Sequence, residues 1–131
     1  MKKNKLVKTV GALLVAGIIG GTSIASANVG QVNAYDVTYQ GKEVYTGYVK
    51  KVKTVKKGAV NLQNDSGTAY ITATMRNSDG ASRGVAYAQR GKRVEFDNTG
   101  SVNYVYRLGL VKTNAGSPVR VVGTWSPDNS Q

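Results

Sequence analysis

"YVKKVKTVKKGAVNL", residues 48–62, places five lysines among valines in its first ten positions. Two conformations compete for it. As a helix, Tyr45, Tyr48, Val49, Val52 and Val55 fall near one stripe, with the lysines on the opposite face. That is the pattern of a helix lying on an anionic bilayer. As a strand the alternation is poorer, because Val49 and Val55 share a face with Lys51, Lys53 and Lys57. Propensity decides between them. Val and Thr are β-branched, Gly47 weakens a helix by about 1 kcal/mol relative to Ala, and no capping residue with a following Glu starts one. Lysines also blunt an exposed sheet edge against unwanted pairing. Residues 48–58 therefore read as a cationic edge strand.

The surrounding sequence has the same texture, short apolar-periodic runs divided by turn residues. The runs are "AYDVTY" (34–39), "EVYTGYVKKVKTV" (43–55), "GTAYITATMR" (67–76), "GVAYAQ" (84–89), "GKRVEF" (91–96), "SVNYVYRLGLV" (101–111) and "VRVVGTW" (119–125). In 67–76, Ala69, Ile71, Ala73 and Met75 share one face, the period of two expected of a half-buried strand. Val102, Tyr104, Tyr106, Leu108 and Leu110 line up in the same way. "NSDG" (77–80), "DNTG" (97–100) and "NAGSP" (114–118) are turns. The expected fold is all-β, a single small antiparallel β-sandwich or barrel of six to seven strands. Trp125, which ends the last run, is expected to plug one end of the core, and Pro127 to stop pairing two residues later.

The first 27 residues read differently. "MKKNKLVK" is a cationic start, "VGALLVAGIIGG" an apolar run and Ala25-Ser26-Ala27 a small-residue cleavage site. Together these are the parts of a secretory signal peptide, and the apolar run falls short of the roughly 20 residues that span a bilayer. A second junction of the same kind follows "VNA" at Ala34, so the mature chain starts at Asn28 or Tyr35. The first choice leaves a secreted, extracellular domain over 28–131. Four of the eighteen Lys and Arg lie in the leader and none of the seven acids does, which leaves +7 on 104 residues. Such a bias favours anionic partners. There is no Cys, so stability must come from core packing alone. A Lys-rich leader and disulfide-free export suit a Gram-positive source.

Catalytic chemistry is scarce. With no His and no Cys, the usual nucleophile–base pairs and most zinc and copper sites are ruled out, and no "SxxK" occurs. Glu95 and Asp97, two apart on a strand, would sit roughly 7 Å from each other, a spacing compatible with an inverting glycosidase. Such carboxylates normally face each other across a cleft, however, and these flank a turn. "NDSG" (64–67) and "NSDG" (77–80) lack the spaced acids of a calcium loop and read as Asx-turns. No cofactor or metal is expected, and the chain reads as a non-enzyme. The stronger signal is Arg interleaved with Tyr: Arg76, Arg83, Arg90, Arg93, Arg107 and Arg120 with Tyr70, Tyr87, Tyr104 and Tyr106. Sharing a face, several of these would form an aromatic surface for phosphates or sugars.

The signal peptide, the block "AYITATMRNSDGASRGVAYAQRG" (69–91) and the ending "VVGTWSPDN" (121–129) resemble a family of small secreted Gram-positive proteins known chiefly as a domain of unknown function. The most specific part is Gly123-Thr124-Trp125-Ser126-Pro127-Asp128. The resemblance implies an exported, noncatalytic single domain and supplies no catalytic residues.

Charge, export and architecture point to a cationic binding domain for an anionic cell-wall polymer or an anionic membrane surface, with nucleic acid a further candidate. The expected contacts are Lys50, Lys51, Lys53, Lys56, Lys57, Arg90 and Arg93. The alternative is a secreted antimicrobial protein of bacteriocin type.

Overall fold

The computed structural model describes residues 28–63 and 69–129; the expected leader and the "NDSG" turn lie outside them. Among the described residues there are nine strands and no helix. They are β1 (Gly30–Val37), β2 (Val44–Tyr45), β3 (Val49–Lys50), β4 (Lys57–Leu62), β5 (Tyr70–Asn77), β6 (Ser82–Gln89), β7 (Arg93–Asp97), β8 (Val105–Lys112) and β9 (Val119–Ser126). Two antiparallel sheets form, one ordered β1-β9-β4-β7 and the other β2-β8-β5-β6, with β3 also paired to β8.

The expected all-β sandwich is present, with more strands than the six or seven read from the sequence. The difference arises around the opening stretch, which is neither one strand nor a helix. β2 and β3 are two-residue pieces pairing successively with β8 at Val44↔Leu110, Tyr45↔Gly109, Val49↔Tyr106 and Lys50↔Val105. Between them Thr46 bridges the gap. Its amide donates to the Leu108 carbonyl, and its buried hydroxyl accepts from the Leu108 amide in place of a backbone carbonyl. Residues 51–56 belong to no strand, and Lys57 begins β4, which the sequence reading left unassigned.

The alternation read in 67–76 is observed: Ile71, Ala73 and Met75 are fully buried. On β8, Tyr106, Leu108 and Leu110 are buried, but Tyr104 is 66% exposed. It falls in a turn, its amide donating to the Ser101 carbonyl, with Asn103 at φ +76°. Val32 and Val37 from β1, Val60 and Leu62 from β4, Val121 and Trp125 from β9 meet these residues in one core. Trp125 has no exposed surface, as expected, although its indole N–H has no hydrogen-bond partner among the described residues.

Two backbone details set how β9 lies between its neighbours. At Gly123 a Cβ would come 2.1 Å from the Asn61 carbonyl oxygen of β4, so only glycine permits that approach. On the other side, β1 carries an extra residue between Val32 and Tyr35 opposite Val121–Gly123, a β-bulge with Ala34 at φ +53°.

Candidate binding face

The seven expected contact residues do not form one patch. Lys51 is the clearest correction: it is completely buried. Its ammonium donates to the carbonyls of Val55 and Pro127 and pairs with Asp128 Oδ1 at 2.9 Å. Each N–H of the ammonium is thus spent internally. Arg90 is buried as well; it lies in the turn joining β6 to β7, and its Nη1 donates to the Arg120 carbonyl at 3.1 Å. Neither can present its charge to a polymer.

The other five are exposed but scattered. Lys57 pairs with Asp97 at 2.6 Å and Arg93 with Glu95 at 3.1 Å, both on the β4–β7 side of the four-stranded sheet. Asp97 raises the Lys57 pKa above its ordinary value. The carboxylates Glu95 and Asp97 therefore serve as partners for cations on one strand face. Lys56 donates to the Gly100 carbonyl at 2.7 Å. Of the seven, only Lys50 and Lys53 are exposed with side chains that make no ion pair or hydrogen bond among the described residues. Asn77, in "NSDG", accepts from the amides of Asp79 and Ala81 through its side-chain oxygen, as an Asx-turn does.

The Arg–Tyr signal is realised on the outer face of the five-stranded sheet. Pairing aligns Tyr45 with Gly109, Gly109 with Thr74 and Thr74 with Val85 across β2, β8, β5 and β6, and it aligns Arg107 with Arg76 in the next row. Tyr70 and Tyr87 stand diagonally across β5 and β6, both exposed. Lys50 pairs with Val105, two residues from Arg107 on the same face.

At the β2–β3 side the Arg107 guanidinium lies 3.8 Å from the ring centre of Tyr45 and 5.1 Å from that of Tyr48. Cation–π contact holds it flat against two rings that are themselves 40% and 46% exposed. Its Nε is buried with no partner among the described residues. The neighbouring acid is already occupied: Glu43 accepts from Arg76 Nε at 2.8 Å and from Nη2 at 2.7 Å, a bidentate pair. Arg76 holds the Glu43 pKa below its ordinary value against the opposing effect of burial, with Tyr45 and Arg107 adding to the lowering. Gly109 makes room for this pair, since a Cβ there would strike Glu43 Oε1. The face thus offers ring surfaces for stacking, beside Arg107 and Lys50, neither of which forms an ion pair with an acid among the described residues.

Tyr45 and Tyr48 were absent from the Arg–Tyr set read from the sequence. The helical period places both on one stripe, but the strand period sets them on opposite faces, and the break in alternation at Thr46 and Gly47 is what brings both to Arg107. Tyr106, by contrast, was in that set and is buried, its hydroxyl accepting from the Ser101 amide at 2.7 Å.

The closing motif resolves into a cap. Ser126 Oγ accepts from the Asp128 amide, the Pro127 carbonyl accepts from Lys51 and Asn98, and Asp128 takes Lys51 together with the Val52 and Lys53 amides and the Asn28 side chain. Of the six residues Gly123–Asp128, all but the half-buried Thr124 are buried. No family model, no curated protein and no solved structure matches this chain.

Proposed function

We propose that this chain is an exported, noncatalytic binding domain that holds an anionic cell-surface polymer against the outer face of its five-stranded sheet. One observation carries the reading: Arg107 is stacked on Tyr45 and Tyr48 and forms no salt bridge among the described residues, the nearby Glu43 being paired with Arg76. A guanidinium fixed in this way loses little freedom on binding and meets phosphate or carboxylate oxygens with its planar fork. Lys50 extends the positive field, and the tyrosine rings suit the sugar or polyol part of such a polymer. The family resemblance, and a Gram-positive origin, belong to the same proposal.

The test is retention on purified Gram-positive cell walls, intact and stripped of teichoic acid, at low and moderate salt. Binding should weaken as salt rises and fall on stripped walls. Arg107→Gln and Tyr48→Ala should each reduce it at least tenfold with the melting curve little changed. Equal retention of all variants, or none by the parent protein, overturns the proposal.

A second reading, a membrane-active or antimicrobial protein, draws on a different observation. Val52 and Val55 are 42% and 36% exposed in the 51–56 segment, flanked by exposed Lys50, Lys53 and Lys56. Apolar tips ringed by cations are what an anionic bilayer surface takes up. Dye release from anionic vesicles, abolished by Val52→Ser with Val55→Ser, would favour this reading over wall binding.

A further inference from the structure

Two junctions near the start carry small or compact residues at the last and third-last positions, Ala25-Ser26-Ala27 and Val32-Asn33-Ala34. We infer that the chain is cut between Ala27 and Asn28, and that the junction after Ala34 is not used. The agent is a membrane-associated peptidase of the type that removes export leaders, reading small side chains on the amino side of the cut. Water splits the amide, leaving a carboxylate on Ala27 and an α-ammonium on Asn28.

The residues between the two junctions are why only one cut is compatible with the fold. Gly30, Gln31 and Val32 pair with Trp125, Thr124 and Gly123, half of the six paired positions joining β1 to β9. Val32 is buried in the core. Gly30 forms a floor beneath the tryptophan, where a Cβ would come 2.6 Å from both Trp125 Nε1 and Val49 Cγ2. Asn28 donates from its side chain to Asp128 Oδ2 at 2.9 Å, one of the bonds that keep this buried carboxylate ionised beside Lys51.

A cut after Ala34 removes all of this. One side of Trp125 loses its cover, the β9 edge from Gly123 to Trp125 loses its partner, and Asp128 loses an acceptor bond in a place where replacement water must enter the core. A cut after Ala27 leaves every described contact in place.

The experiment is expression of the full chain in a Gram-positive secretion host, with the amino terminus of the folded extracellular protein read by intact mass and terminal sequencing. The expected product starts at Asn28. A product starting at Tyr35, or one retaining Met1, overturns the inference. Ala34→Asn, which suits the left-handed backbone at that position and removes the small residue, should leave the start at Asn28; a changed start or loss of processing argues against it. Ala27→Lys blocks the first junction and should leave no stable extracellular domain, whereas a protease-resistant product beginning at Tyr35 would overturn it. The readout is a chain mass, so it is independent of whether the domain binds the polymer proposed above.

Discussion

Lys51 and Asp128, 77 residues apart in the chain, form an ion pair with no solvent exposure on either side chain. The pair locks the segment after β3 to the tail after β9, closing one end of the sandwich. Breaking a buried pair from one side leaves an uncompensated charge and typically costs 3–5 kcal/mol. Lys51→Gln and Asp128→Asn should each show losses of about that size in urea denaturation. Lys51→Met combined with Asp128→Asn should be less destabilised than the sum of the two, because removing both charges together leaves no unpaired ion in the core. The single asparagine oxygen can still accept from only one of the Val52 and Lys53 amides, which donate to different carboxylate oxygens. By contrast, Lys50→Gln and Lys53→Gln should each move stability by no more than about 0.5 kcal/mol.

Acid should expose the same pair. Burial pushes the Asp128 carboxyl up, and the hydrogen bonds from the Val52 amide, Lys51, Asn28 and the Lys53 amide outweigh it, so its pKa lies below the ordinary 3.8. Glu43 lies below its ordinary 4.5 beside Arg76. Carboxyls depressed in the folded state contribute stability that is complete above their unfolded values and is lost as pH falls through the folded ones. Melting temperature should therefore hold from neutrality to about pH 5 and drop steeply below about pH 4. Asp128→Asn should make that drop shallower.

Trp125→Ala should cost about 3–5 kcal/mol through the cavity it opens. Gly123→Ala should destabilise by at least a comparable amount for another reason: its methyl meets the β4 backbone, which cannot rotate aside as a side chain would. A folded Gly123→Ala protein with wild-type melting would contradict the described approach of β9 to β4.

Ala34→Gly should act in the opposite direction. Alanine at φ +53° carries a left-handed backbone penalty of about 1–2 kcal/mol that glycine does not. Glycine gives part of this back through its freer unfolded chain. A net gain of up to about 1 kcal/mol is expected, measurable as a raised urea midpoint with unchanged slope.

The sequence was most legible where local pattern and tertiary burial agree. Ile71, Ala73 and Met75 alternate and are buried; Trp125 is a lone large aromatic and sits in the core. It was least legible where a distant partner reverses what a residue does by itself. Nothing near Lys51 distinguishes it from Lys50 or Lys53, and its burial depends on Asp128 at the far end of the chain. Arg90 is a similar case, since the turn that buries it is defined by two sheets meeting. The candidate face was half read: the Arg–Tyr composition was evident, but which tyrosines share a side depends on Gly47 and Thr46 breaking the alternation between β2 and β3. β4 was missed because its lysine-rich approach draws attention from the short "GAVNL" run that follows.

The position of β9 has a consequence for the order in which this protein can be made. It is the last strand, yet it lies inside its sheet between β1 and β4, and the acid that neutralises Lys51 follows it. Ribosomes deliver the amino end first, so every incomplete chain holds β1 and β4 apart and has an ammonium it cannot bury. The described sandwich cannot close until β9 and Asp128 have emerged, and a chain cut before them leaves β1 and β4 unjoined and the Lys51 ammonium without its acid. Until then the polypeptide stays loose enough to be threaded through a narrow pore, as the export proposed above requires.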